Sequence, residues 1–287
     1  DWQRQSGLDW TVSKRPVMFN APDHRRMEFG GTPITLFKDK FVLARDTDNT
    51  PFSVVSDRYK PVQPKDVLEF FRDLIATHSM TIETAGSLKD GKRIWALAKT
   101  GDAHKVLGSD LVDSYLLLAT SYDLTFSTLA QFTSVRVVCN NTLQQSLKDY
   151  ISRVSIPHFR DFNATDIHEQ LGLGRAQWGA FSQALDAIAK IKLDSAKAKE
   201  VLGKVFVTPE KDITYVDPQV EKILRLFEGK AIGADIAGQT GWGLVNAVTE
   251  YADHHKRARN QGNRLDNAWF GTTANIKDAV FHEVLEL

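Results

Sequence analysis

Two spacings of apolar residues organise the chain, a short strand-like period up to about residue 160 and a helical one after it. Near the start, the apolar runs 34–37 and 41–44 flank the polar triplet Lys38-Asp39-Lys40, which predicts two strands joined by a short hairpin connection. Residues 52–56 follow Pro51 as a further strand. After Pro61 and Pro64, the positions Val67, Leu68, Phe71, Leu74 and Ile75 return every three or four residues, as on an amphipathic helix. Runs 80–86 and 93–99 surround Leu88-Lys89-Asp90-Gly91-Lys92, and Asp-Gly between two such runs signals a β-hairpin. Runs 114–121 and 126–139 add two more strands. Asn140 or Asn141 then suits a helix N-cap, and Leu143, Leu147 and Tyr150 continue at helical spacing, so a helix is expected to leave the last strand.

Helices are expected at 167–171, 176–202, 218–227, 242–259 and 273–287. The longest carries Trp178, Phe181, Leu185, Ile188 and Ile191 along one face, the geometry of packing. Gly229, Gly233, Gly238, Gly241 and Gly243 form a glycine-dense link between two helices. The link has neither the order nor the preceding strand of a phosphate-binding loop, so it reads as a flexible connection. Consecutive strands with short turns call for antiparallel pairing. The fold class is therefore α+β, a central antiparallel sheet flanked by helices, with a largely helical C-terminal half. Its regions are a β-rich 1–160 and a helical 161–287, either separate or packed as one domain.

Charge adds little at the level of the whole chain. Lys and Arg number 36 and so do Asp and Glu, so no global field points to nucleic acid or membrane, and self-association meets little net repulsion. Cys139 is the one cysteine, which excludes an internal disulfide and a four-thiolate zinc site; a small buried residue is the expected role. No apolar stretch reaches the roughly 20 residues of a membrane span, so no membrane partner is expected and the cytoplasm is the default compartment. Complete catalytic motifs are missing, including the serine nucleophile elbow and the His-Glu-x-x-His zinc motif. The chain is accordingly expected not to be an enzyme and to need no cofactor. Glu250, Asp253 and His254 could share a helix face and hold a metal, or form a solvated charged face.

Local chemistry is more informative. Strand 93–99 places Ile94, Ala96 and Ala98 on one face and Arg93, Trp95, Leu97 and Lys99 on the other. The second face either offers a base-stacking platform beside a phosphate track or packs Trp95 and Leu97 under a helix. Arg136 stands among Val135, Val137 and Val138, where its charge needs a carboxylate or a ligand anion. Residues 254–264 hold Lys256, Arg257, Arg259 and Arg264 with no acid between them, and Trp269 and Phe270 follow. Such a stretch suits a nucleic-acid backbone, a solvated helix end or a neighbouring subunit.

Several segments taken together resemble one family: Ser6-Gly7-Leu8-Asp9-Trp10-Thr11-Val12, Asp57-Arg58-Tyr59-Lys60-Pro61-Val62-Gln63, Glu83-Thr84-Ala85-Gly86-Ser87-Leu88, Arg136-Val137-Val138-Cys139-Asn140-Asn141-Thr142-Leu143, Asn246-Ala247-Val248-Thr249-Glu250-Tyr251 and Ala268-Trp269-Phe270-Gly271. The family is the phage/plasmid-like protein family, domain of unknown function 932. The resemblance implies the cytoplasm of a bacterial host cell and a role linked to mobile DNA. The order of helix, antiparallel strands and helix also resembles the core of single-strand annealing proteins, which assemble into rings or filaments around single-stranded DNA. The expected function is single-stranded DNA binding and annealing in phage or plasmid recombination, by a homo-oligomer. Its expected contacts are Lys92, Arg93, Trp95, Lys99, Arg136, Lys256, Arg257, Arg259 and Arg264. The alternatives are a protein-interaction module acting on a host factor, and a metal-assisted enzyme around Glu250, Asp253 and His254.

Overall fold

A computed structural model describes residues 2–20, 34–78, 80–139, 141–145, 147, 153–171, 175–206 and 217–287. After a single helical turn, α1 (Trp2–Gln5), the strands β1 (Val12–Asn20), β2 (Ile34–Arg45) and β3 (Pro51–Ser56) form an antiparallel sheet in the order β1-β2-β3. Residues 34–44 do not make the hairpin their pattern suggests. They run as one strand, and Lys38-Asp39-Lys40 falls where the register breaks: Pro16 opposes Phe41 while Val17 opposes Phe37. Asp39 adopts a positive φ of 60° there. Such a bulge accommodates extra polar residues without reversing the chain.

The helix α2 (Pro64–His78) leads to the main sheet, β4 (Thr81–Leu88), β5 (Arg93–Val106), β6 (Asp110–Ser121), β7 (Thr128–Arg136) and β8 (Asn141–Gln144), antiparallel in sequence order. A short β9 (Arg153–Ile156) pairs with the other end of β7. The expected helix at Asn141 is thus replaced by strand β8. Its burial alternates, with Asn141 and Leu143 inward and Thr142 and Gln144 less so, which is a period of two. Asp253 accepts the backbone N–H and the hydroxyl of Thr142 at 2.8 and 2.9 Å, fixing the strand where a helix cap was expected. Of the expected helical positions, Tyr150 lies outside the described residues.

The C-terminal half contains α3 (Ala164–Leu171), α4 (Arg175–Lys190), α5 (Ser195–Phe206), α6 (Pro218–Arg225), α7 (Ala234–Ala237), α8 (Gly241–Glu250), α9 (Gln261–Phe270) and α10 (Thr272–Leu285). The expected single helix over 176–202 is two helices. Leu193 N–H turns to the Gln239 carbonyl at 3.1 Å, and the Asp194 carboxylate caps Lys197 N–H at 2.8 Å. Competing partners at that point stop one helix and start the next. A one-turn π segment, Tyr251–His255, ends the helix expected to reach Arg259. The glycine link is closely packed at Gly233, Gly241 and Gly243 and open at Gly229 and Gly238. A Cβ on Gly243 would stand 2.0 Å from the Gly238 carbonyl oxygen, and Gly233 combines a φ of 69° with the Arg136 guanidinium at 2.7 Å from such a Cβ.

Alternation along β5 sorts the cores. Ile94, Ala96 and Ala98 pack with α2 residues Val67, Phe71 and Leu74, and with Phe52 and Val55 of the small sheet. Trp95 and Leu97 pack on the opposite face with Ala268 and Trp269 of α9. Val106, Val112 and Leu143, at the far end of the strands, join the core of α4, α5, α6, α8 and α10. The helical half therefore shares buried apolar surface with the sheet, the main source of cohesion. Among the described residues, no helix is long and apolar enough to cross a membrane.

Candidate functional site

The residues expected to contact DNA occupy different places. Arg93 pairs with Ser121 and Arg136 with Val112 on β6, nine positions apart. At ~3.3 Å per residue these sites are roughly 30 Å from each other. Lys99, opposite Tyr115, lies between them and is held by Asp113 at 2.6 Å, a hydrogen bond that raises its pKa.

Arg136 is only 2% exposed. Its Nε donates to both Asp110 oxygens at 2.8 and 2.9 Å, while Nη1 and Nη2 donate to the carbonyls of Ile232 and Gly233 at 3.0 and 2.9 Å. Trp242 Nε1 donates to Asp110 as well, at 2.8 Å. Burial opposes the charge, but Asp110 more than offsets it and the arginine pKa is raised. With its guanidinium engaged by Asp110 and two backbone carbonyls, Arg136 joins the strand to the glycine link. Trp95 is likewise withdrawn from the expected stacking surface. It is buried edge-on against Trp269, with ring centroids 4.6 Å apart, because α9 covers that face of the sheet.

Glu250, Asp253 and His254 do not converge on a common point. Glu250 accepts Ile232 N–H at 2.8 Å, Asp253 holds the buried Lys277 ammonium at 2.8 Å, and the His254 ring approaches the Cys139 carbonyl at 3.1 Å. Among the described residues, no group of three His, Cys, Asp or Glu side chains could hold a metal ion. Cys139 is buried and its thiol pKa is pushed up by that burial, the opposite of an activated thiolate.

The end of the sheet that carries Arg93 is built differently. A cleft of about 90 Å³ opens there, lined by Arg93, Thr125, Phe126, Arg153, Trp269 and Phe270, with Gln144 and Asn275 also on its wall. Phe126 and Phe270 stack with centroids 4.8 Å apart, and the Arg93 guanidinium lies 5.3 Å from the Phe126 ring centre. Arg93 itself is anchored by Asp266, by Asp123 at 3.4 Å and by the Thr125 hydroxyl at 2.9 Å. Its expected role as a surface contact thus becomes that of a fixed wall. Among the described residues, no carboxylate lines the cleft. Arg153 is exposed and has no ion-pair partner among the described residues, and desolvation by the protein around it lowers its pKa. The indole N–H of Trp269 is buried and also lacks a hydrogen-bond partner among the described residues.

The basic stretch leads into α9 and so toward this end. Arg257 and Arg259 are exposed. Arg264 donates to the Lys256 carbonyl at 2.9 Å and ties the stretch to α9, while burial lowers the pKa of Lys256. Lys92 sits half-buried in the β4–β5 turn, which Lys89 joins to α9 through Asp266 at 3.1 Å. The structure therefore groups Lys92, Arg93, Lys256, Arg257, Arg259 and Arg264 around α9, and sets Lys99 and Arg136 apart. Sequence reasoning did not find Arg153, Phe126, Gln144 or Asn275. They come from separate elements with no shared spacing, and only the tertiary fold brings them together.

The family described as domain of unknown function (DUF932) matches residues 51–269, well over half of the chain. The chain belongs to this family. The DUF932 match begins at the first residue of β3 and ends at Trp269 on the cleft wall, so it takes in the whole main sheet and leaves β1 and β2 before it. No curated protein and no solved structure matches the chain.

Proposed function

We propose that the protein binds single-stranded DNA along α9 and the Arg93–Arg153 end of the main sheet, as a strand-annealing protein of phage or plasmid recombination. The observation that carries this reading is the cleft: an arginine without an ion-pair partner among the described residues, a stacked aromatic pair and two side-chain amides, with no described acid among them. Arginine recognises phosphate, aromatic faces accept bases of any identity, and amides meet base edges. At about 90 Å³ the cleft has room for a phosphate or a base edge, and the rest of the strand would lie outside it. Arg257 and Arg259, at the other end of a helix about 15 Å long, supply phosphate neutralisation along the same path. Annealing needs such neutralisation and no acid–base catalyst.

The test is oligonucleotide binding followed by fluorescence anisotropy over a salt series. The Arg257→Glu/Arg259→Glu double variant should bind more weakly at low salt. Its log-log salt slope should shrink by roughly 0.7 for each phosphate that is no longer neutralised. An unchanged slope would remove both residues from the path, and no binding by the unaltered protein at low salt would end the reading.

A further inference from the structure

Among the described residues, no element covers either face of the outer part of the β1–β2 pair. β3 pairs with β2 only between Lys40 and Ala44, so residues 17–20 and 34–37 form a two-stranded ribbon beyond the three-stranded base. The bulge at Lys38-Asp39-Lys40 separates ribbon from base and re-aims it. On one face of the ribbon Met18 pairs with Leu36, and Ile34 lies on the same side opposite Asn20. On the other face Phe19 and Phe37 meet edge to face at 6.4 Å. Met18 is 59% and Ile34 68% exposed, and Phe19, Leu36 and Phe37 are each about half exposed. An isolated two-stranded hairpin is marginal in water, and apolar side chains on both of its faces mark a docking element.

The same chain carries a receptor of matching chemistry. β4 is an edge strand of the main sheet. Beside it runs an apolar groove of about 270 Å³, whose lining includes Trp2, Leu68, Ile75 and Ile82. Trp2 and Ile75 are each 40% exposed, so the described residues leave these apolar walls of the groove partly open. A free strand edge next to apolar pockets is the arrangement that accepts an added β-strand. Charge is compatible: in the groove Lys65 and Arg72 pair with Glu69, exposed Glu83 on β4 is of opposite sign to Lys38 and Lys40 at the base of the ribbon, and the balanced chain carries no net repulsion between copies.

We propose that the ribbon of one copy docks in the α2–β4 groove of a second copy and adds a strand to the edge of β4. Ribbon and groove are different surfaces, so the contact is head-to-tail and propagates into a ring or a filament. This inference stands independently of DNA binding.

Because Cys139 is buried, engineered cysteines report the contact without competition. A Leu36→Cys variant mixed with an Ile75→Cys variant, without DNA, should give a disulfide-linked dimer that neither variant gives alone. Light scattering of the full chain should show species larger than a monomer. Leu36→Glu with Phe37→Glu, or Ile75→Glu alone, should return the mass to a monomer with an unchanged circular dichroism spectrum. The proposal falls if the chain is monomeric at every concentration, or if Leu36→Cys couples to itself in place of the mixed pair.

Discussion

Arg136 closes the C-terminal end of β7, and Arg153, on the strand that pairs with the first half of β7, lies opposite Gln131, five positions nearer its start. Both are cations in a sheet, yet the protein surrounds them in opposite ways. Arg136 meets a carboxylate, two backbone carbonyls and an indole ring, with Asp110 further held by Trp242. Arg153 meets a cleft wall and no described carboxylate. A guanidinium whose fork is filled by the protein serves the fold, and one that is partly desolvated and left unfilled is available to an anion. What separates the two roles is the set of partners, more than residue type or strand position.

The largest expected effect breaks the closed end. Arg136→Ala leaves Asp110 buried with the Trp242 N–H as its remaining strong donor, and should cost about 3–5 kcal/mol of stability by urea unfolding. A second change, Asp110→Leu, should recover much of that loss, because the stranded charge is then gone. If Arg136→Ala were as stable as the unaltered protein, the distinction between the two ends would fail.

The same substitution at the open end should behave in reverse. Arg153→Ala is expected to leave stability within about 0.5 kcal/mol, as for surface positions without partners. Its effect should appear in oligonucleotide affinity, with a loss of about 1.5–3 kcal/mol, the range of a charge-assisted hydrogen bond. A stability loss comparable to that of Arg136→Ala, with affinity intact, would make Arg153 a structural residue and empty the cleft of its proposed role.

Much of the fold was legible because periodicity reports burial directly. The two faces of β5 follow its alternating pattern, and Phe181, Leu185 and Ile188 are all fully buried along the predicted face of α4. The failures share a cause. Asn141 has good capping chemistry, but Asp253, 112 residues later, supplies the partner that makes a strand the better solution. Lys38-Asp39-Lys40 has good turn chemistry, but pairing with β1 and β3 on either side makes it a bulge. The site was half legible for the same reason. A basic run is a local property, whereas the pairing of Arg136 with Asp110 and the closing of α9 over Trp95 are tertiary.

The smallest effect concerns the back wall of the cleft. His158 stacks on Tyr59 at 4.7 Å and donates from Nε2 to the Phe126 carbonyl at 3.0 Å, behind the ring that stacks on Phe270. Burial pushes its pKa below the usual 6.5, with the Phe126 hydrogen bond opposing the shift in part. Its Nδ1 is buried without a partner among the described residues, so a second proton would arrive where none of them accepts it. The unfolded chain therefore takes up that proton first as pH falls. Stability contributed by the neutral ring is complete above about pH 6.5 and declines as the pH drops toward the lowered native value. The decline cannot exceed about 1.4 kcal/mol per pH unit for one group. Urea midpoints measured at pH 7 and pH 5 should fall less in a His158→Phe variant, which keeps the ring on Tyr59 but cannot titrate. Equal falls in both proteins would show that the acid sensitivity arises elsewhere and that the wall behind Phe126 is indifferent to pH.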